Sequence, residues 1–129
     1  MTSDQARADE TRRVLVVDDD ARVRHALRVL IASAHGLSVA GEASSAPDAL
    51  GADEELVPDV VILDLQLPSA EKGLDVLRHL VSRGRHVIAL TIRVELRRPA
   101  LDAGAVAFVE KGVSPDVLLE LLRASSRAS

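Results

Sequence analysis

The sequence contains no cysteine, no tryptophan and no tyrosine, and a single phenylalanine, Phe108. Without cysteine there is no disulfide framework, no thiolate metal site and no cysteine nucleophile. One aromatic ring excludes a platform on which nucleobases stack, and it leaves the core to Leu, Val, Ile and Ala. No stretch is long and apolar enough to cross a membrane, and no signal-peptide pattern opens the chain. A cytoplasmic location without membrane contact is therefore expected. A net charge of −4 offers no electrostatic footprint for nucleic acid, so no direct binding of nucleic acid by this chain is expected. Lysine is scarce too: only Lys72 and Lys111 stand among 16 basic residues. Arg and Lys are not interchangeable, so each lysine in an arginine-preferring chain invites a question about its use. Lys72 reads as a surface loop residue.

What is present suits one domain. The chain has 129 residues, of which 47% are hydrophobic, ordinary for a globular protein. Residues 1–11 are polar and aperiodic and read as a flexible leader; residues 125–129 read as a polar tail or the start of a linker. Between them, apolar runs alternate with segments of helical period. Strands are expected at Arg12–Val17, Leu37–Gly41, Val60–Leu63, His86–Leu90 and Val106–Val109. Helices are expected at Ala21–Ala34 with Asp20 as N-cap, from Ser45 onward, at Gly73–Ser82, at about Glu95–Ala103, and from Pro115 to Ala124. Pro99 makes the fourth of these short. Val117, Leu118, Leu121 and Leu122 form the expected inner face of the last. Five successive βα units predict an α/β fold, a doubly wound five-stranded parallel sheet with helices on both faces.

The stretch PDVVILDLQLP, residues 58–68, is the centre of this pattern. Val60–Leu63 is an unbroken apolar run, as expected of a strand buried on both faces. Asp64 stands where the run ends, at the edge where open α/β sheets place their chemistry. Alone, it could equally cap a helix or start a turn. Other strand ends decide between these: Asp18-Asp19 after the first strand, Thr91 after the fourth, Lys111 after the fifth. Clustered carboxylates repel one another, and a hard divalent cation resolves the repulsion; Mg²⁺ suits, held by few carboxylates with water and a phosphate. A hydroxyl and an ammonium on the same rim could hold phosphoryl oxygens, and Asp64 could then accept a phosphoryl group as nucleophile. Bland readings exist for each residue. Asp20 is better explained as a cap, a strand threonine often reflects β-propensity alone, and a lone Phe is ordinary core.

The motifs LVVDDD (15–20), PDVVILDLQLP (58–68), ALT (89–91) and GAVAFVEK (104–111), in this order and spacing, resemble the receiver domain of two-component response regulators. The resemblance covers residues 13 to 124 and implies a receiver domain over 12–124 with the CheY-like, flavodoxin-like (βα)5 fold. It implies that Asp64 is the phosphoacceptor for a sensor histidine kinase. It further implies that Asp19 binds Mg²⁺ directly, that Asp18 assists, and that Gln66 offers its backbone carbonyl. Thr91 matches the switch hydroxyl, Lys111 the phosphoryl-binding lysine and Phe108 the switch aromatic. Gln66 and Arg93 side chains would flank the water that removes the phosphoryl group. A receiver of this kind is not an enzyme with turnover. A phosphatase with an aspartyl-phosphate intermediate usually carries a second acid where this chain has Gln66.

Three departures accompany the resemblance. The loop between Pro68 and Gly73 holds four residues where three are usual. About two residues are missing between Thr91 and Gly104, on the fourth helix. Gly112, in place of the common proline after Lys111, makes the chain most like receivers of LuxR-like DNA-binding regulators, and hence of transcription regulation. The family's homodimer face is built from helix four, strand five and helix five, so the shortening falls on it. An interaction module that works without phosphorylation is the alternative.

Overall fold

The computed structural model describes residues 11–125. The expected leader and tail lie outside the described residues, apart from Thr11 and Ser125. Five strands, β1 (Arg12–Val17), β2 (Leu37–Ala43), β3 (Val60–Asp64), β4 (His86–Thr91) and β5 (Ala107–Glu110), pair in parallel in the order β2-β1-β3-β4-β5. Helices α1 (Ala21–Ser33), α2 (Ala46–Leu56), α3 (Ala70–Ser82), α4 (Arg97–Asp102) and α5 (Pro115–Ser125) alternate with them.

Alternation along each strand sends neighbouring side chains to opposite faces. Val14, Val16, Val60, Ile62, Ile88 and Leu90 pack with Leu27 and Ile31 of α1 and Leu118 and Leu122 of α5. Leu15, Val17, Val61, Leu63, Val87 and Ala89 pack on the other side with Ala49 of α2, Leu77 and Leu80 of α3, and Ala100 of α4. Both faces of the sheet are thus covered, which explains why Val14–Val17 of β1 and Val60–Leu63 of β3 are apolar at every position rather than at every second one.

Several boundaries differ from expectation, each for a physical reason. β2 runs two residues past Gly41: the ladder shifts between Val14 and Leu15, and pairing resumes to Ala43. Helix α3 begins three residues before Gly73, where the Ser69 side chain accepts from Lys72 N–H at 3.3 Å. Lys72 is accordingly exposed on a helix turn rather than in a loop. Gly73, buried in the first turn, is there because a Cβ would collide with the Leu65 carbonyl just beyond Asp64. The α4 region is as short as the sequence suggested: a 3₁₀ turn, Val94–Leu96, leads into six α-helical residues with Pro99 in their first turn. Strand β5 lies one residue later than expected, and Val117 faces outward, 44% exposed. The stripe on α5 is carried by Leu118 and Leu122, four apart; Val117 is turned about 100° from Leu118 on a 3.6-residue helix.

Asp53 has no counterpart in the sequence reading. It is fully buried on α2, on the same side as Ala49 one turn earlier. Arg83 NH1 meets its Oδ2 at 3.0 Å and Arg85 Nε its Oδ1 at 2.7 Å. This pairs α2 with the turn between α3 and β4. Replacing Asp53 with alanine should lower stability by about 3 kcal/mol, the low end for a broken buried ion pair, because both arginines reach solvent. Urea denaturation would measure it; a change under about 0.5 kcal/mol would show that the triad contributes nothing net.

Candidate phosphoacceptor and metal site

Strand β1 lies between β2 on one side and β3 on the other, so the chain order reverses between β1 and β3. A crevice opens at the carboxyl ends of strands at such a switch point. The register Val17 to Leu63 puts Asp18, the residue after β1, level with Asp64, the last residue of β3. Leu90 lies opposite Asp64 and Glu110 opposite Thr91. Lys111 N–H donates to the Thr91 carbonyl at 3.0 Å, which fixes where the lysine leaves the sheet.

Asp18 is fully buried, Asp64 is 2% exposed and Thr91 fully buried. The Lys111 ammonium lies 2.9 Å from Asp18 Oδ2 and 3.3 Å from Asp64 Oδ2, between the two carboxylates. Asp64 Oδ1 accepts from Gln66 N–H at 3.0 Å, and Asp18 Oδ1 accepts from Asp20 N–H at 2.9 Å. Asp20 also caps α1 through Arg22 N–H, as its position suggested. The Thr91 hydroxyl oxygen accepts from Arg93 N–H at 3.2 Å, while the Arg93 guanidinium turns to Glu95 at 2.9 Å. Asp19, Asp64, Gln66, Thr91 and Lys111 share the lining of one cavity of about 350 Å³, with Pro68 and Ile92 at its edge. Phe108 is set apart from it, half-buried against the core beneath α2, α3 and α4. Ile92, 73% exposed beside the cavity, drew no attention in the sequence; a lone apolar residue after a strand carries no signal there.

Carboxylate oxygens of Asp18, Asp19 and Asp64 lie within 4.8 Å of one another. Asp18 Oδ2 is buried and receives no hydrogen bond, its contact with Lys111 being an ion pair without hydrogen-bond alignment. An all-oxygen donor set with an unsatisfied buried anion fits a hard divalent cation such as Mg²⁺. These three acids are the ones that could hold it.

Burial pushes the Asp64 carboxyl above its ordinary value, and the Asp18 charge adds to that; the Gln66 amide and Lys111 work against it without prevailing. For Lys111, burial pulls the ammonium down, but its close contact with Asp18 and the charges of Asp64 and Asp18 outweigh that and leave it raised. The lysine is therefore held as a cation among anions.

The chain belongs to the response regulator receiver domain family, whose pattern it matches over residues 14–123. It is 36% identical over 115 residues to the response regulator GacA of Pseudomonas viridiflava, covering 86% of this chain and 53% of that protein. It is 47% identical over 104 residues to protein-glutamate methylesterase/protein-glutamine glutaminase 5 of Myxococcus xanthus, covering 77% of this chain and 30% of that protein. A LuxR-family two-component response regulator from Aurantimonas sp. SI85-9A1 superposes with a TM-score of 0.83 at 30% identity, over 91% of this chain and 86% of that one. The chain thus spans between about a third and half the length of these curated relatives.

The raised Asp64 carboxyl fixes the sign of a pH effect. A group that binds its proton more tightly when folded supports the fold below its unfolded value, and that support is lost as pH rises through the folded one. Ionised Asp64 therefore costs stability at neutral pH. In chelator-treated protein at pH 7, Asp64→Asn should melt a few degrees above wild type. The gap should close as pH falls below the ordinary aspartate value of about 3.9. Calorimetry across that range checks it, and a variant that melts lower at pH 7 contradicts it.

Proposed function

We propose that this receiver domain takes a phosphoryl group from the phosphohistidine of a sensor histidine kinase onto Asp64, with Mg²⁺, and acts as a phosphorylation-controlled switch. The observation that carries this is the placement of Asp64 beside Asp18, Asp19 and Lys111, with Asp19, Asp64 and Lys111 lining one cavity. An Asp64 oxygen attacks phosphorus; the new P–O bond forms as the P–N bond breaks, and the imidazole leaves with the electron pair. Asp18, Asp19, Asp64 and the Gln66 backbone carbonyl would hold Mg²⁺, which would supply the positive charge needed for an anionic phosphoryl group to approach a cluster of acids. Lys111 is already poised at 3.3 Å from Asp64 and pairs with a phosphoryl oxygen.

Thr91 then has a choice of partner. Its oxygen now accepts from Arg93 N–H, while its hydroxyl hydrogen is free to donate. Donation to a phosphoryl oxygen would draw the residue toward Asp64, open space on the side of Phe108 and shift the α4 surface. This is a two-state element biased by a local change of charge. The Gln66 and Arg93 side chains set how fast water removes the phosphoryl group, a slow loss that is not turnover. The partner is a histidine kinase in the cytoplasm, and a homodimer through α4, β5 and α5 is the associated output. The 3₁₀ turn and six-residue α4 favour one alternative: an interaction module whose output does not depend on phosphorylation.

With Mg²⁺ and acetyl phosphate, intact mass should rise by one phosphoryl group in wild type and not in Asp64→Asn. Lys111→Ala should retain some labelling but at a rate about a hundredfold to a thousandfold lower, the range for losing a charge-stabilising group. A gain of mass in Asp64→Asn contradicts the assignment. If output partners bind wild type and Asp64→Asn alike, the phosphorylation-independent alternative replaces it.

A further inference from the structure

Asp18 is held by its backbone as well as by its side chain. Its N–H donates to the Ala43 carbonyl at 3.1 Å, across to the end of β2. Its carbonyl accepts from Arg24 NH1, one turn into α1, at 2.8 Å. The same guanidinium donates through Nε to Glu42 Oε1 at 2.7 Å, and the other oxygen of Glu42 takes Arg28 at 2.8 Å. Arg24 is only 16% exposed, whereas Arg28 is 51% exposed and its ion pair goes to Glu42 alone among the described acids. The Glu42 carboxyl is held below its ordinary value, first by the hydrogen bond from Arg24, so the pair stays charged. Arg24 thus joins the loop bearing the acids to β2, with Glu42 aiming its planar fork.

We infer that Arg24, aimed by Glu42, is a positioning residue that holds the Asp18-Asp19 loop in the shape that receives the divalent cation. The physical need is plain. Asp18, Asp19 and Asp64 repel one another, and among these described acids Lys111 forms ion pairs with Asp18 and Asp64. Asp19 itself sits exposed, between Asp18, which is tied to Ala43 and Lys111, and Asp20, whose N–H donates to Asp18 Oδ1. Fixing the Asp18 carbonyl stops that loop from relaxing outward before a cation arrives. Groups of this kind, one bond removed from the ligands, typically change metal affinity by 10–100-fold when removed.

The inference rests on the metal reading above, and the sign of one measurement separates it from simple electrostatics. Arg24 is itself a cation, so if it acted only through charge, deleting it would tighten Mg²⁺ binding. Calorimetric titration with Mg²⁺ alone at fixed ionic strength should instead show Arg24→Met about tenfold or more weaker than wild type. Arg28→Met, which removes an equal charge from the same glutamate, should stay within about twofold. Metal-free hydrogen exchange should show the Asp20 amide faster in Arg24→Met and unchanged in Arg28→Met. If Arg24→Met is too unstable to titrate, Arg24→Lys, which cannot span both partners, should bind severalfold weaker. Wild type that binds Mg²⁺ with Arg24→Met as tight or tighter overturns this inference alone. Wild type that binds no Mg²⁺ overturns the metal reading and this with it.

Discussion

One ammonium group stands between two buried carboxylates, and much of the chain's construction serves to keep it there. Lys111 directly follows the last strand and Asp18 the first, and Asp64 ends the third. Left without a cation, Asp18 and Asp64 would face each other in a space from which water is largely excluded, and such charges are expensive to bury. A parallel sheet solves the problem of delivery. All its strands end on one edge, so residues 18, 64 and 111 meet although they are far apart in sequence. Lys111 does not neutralise the group fully: three acids face one lysine. That surplus of negative charge makes the site receptive to a divalent cation and unfavourable as it stands.

The scaffold around this edge is rigid where the acids are anchored and slight where the chain continues to α4. Beneath Asp64, Gly73 lets α3 press its backbone against the Leu65 carbonyl. Behind Asp18, β2 supplies the Ala43 carbonyl and Glu42. At the opposite end of the sheet, Asp53 locks α2 to Arg83 and Arg85. Past Thr91, by contrast, the chain offers a 3₁₀ turn, exposed Ile92 and Val94, and a six-residue helix. Few buried contacts hold such a segment, and segments of that kind are the ones that move.

Local patterns carried most of the fold into view. Val60–Leu63 reads as a doubly buried strand from composition alone, and the Asp20 and Pro115 signals mark helix starts that the structure has. The acidic edge was legible because Asp18, Asp19, Asp64, Thr91 and Lys111 all follow apolar runs. What was not legible depends on partners distant in sequence. Asp53 falls on the buried stripe of α2, four residues from Ala49, yet its arginines lie 30 and 32 residues downstream. Arg24 reads as an ordinary surface residue until β2 is seen to extend past Gly41 and bring Glu42 alongside. The early start of α3 was available in Ser69, a good cap, but the glycine at 73 drew the boundary to itself.

The central claim is that Asp64, the acid that shares Lys111 with Asp18, and no other acid receives the phosphoryl group. Borohydride reduction of the acyl phosphate followed by peptide mass spectrometry tests this directly, since the modified aspartate is converted to homoserine. Protein treated with Mg²⁺ and acetyl phosphate should yield homoserine at position 64 alone. Homoserine at 18 or 19, or none anywhere under conditions that phosphorylate a control receiver, would contradict the account.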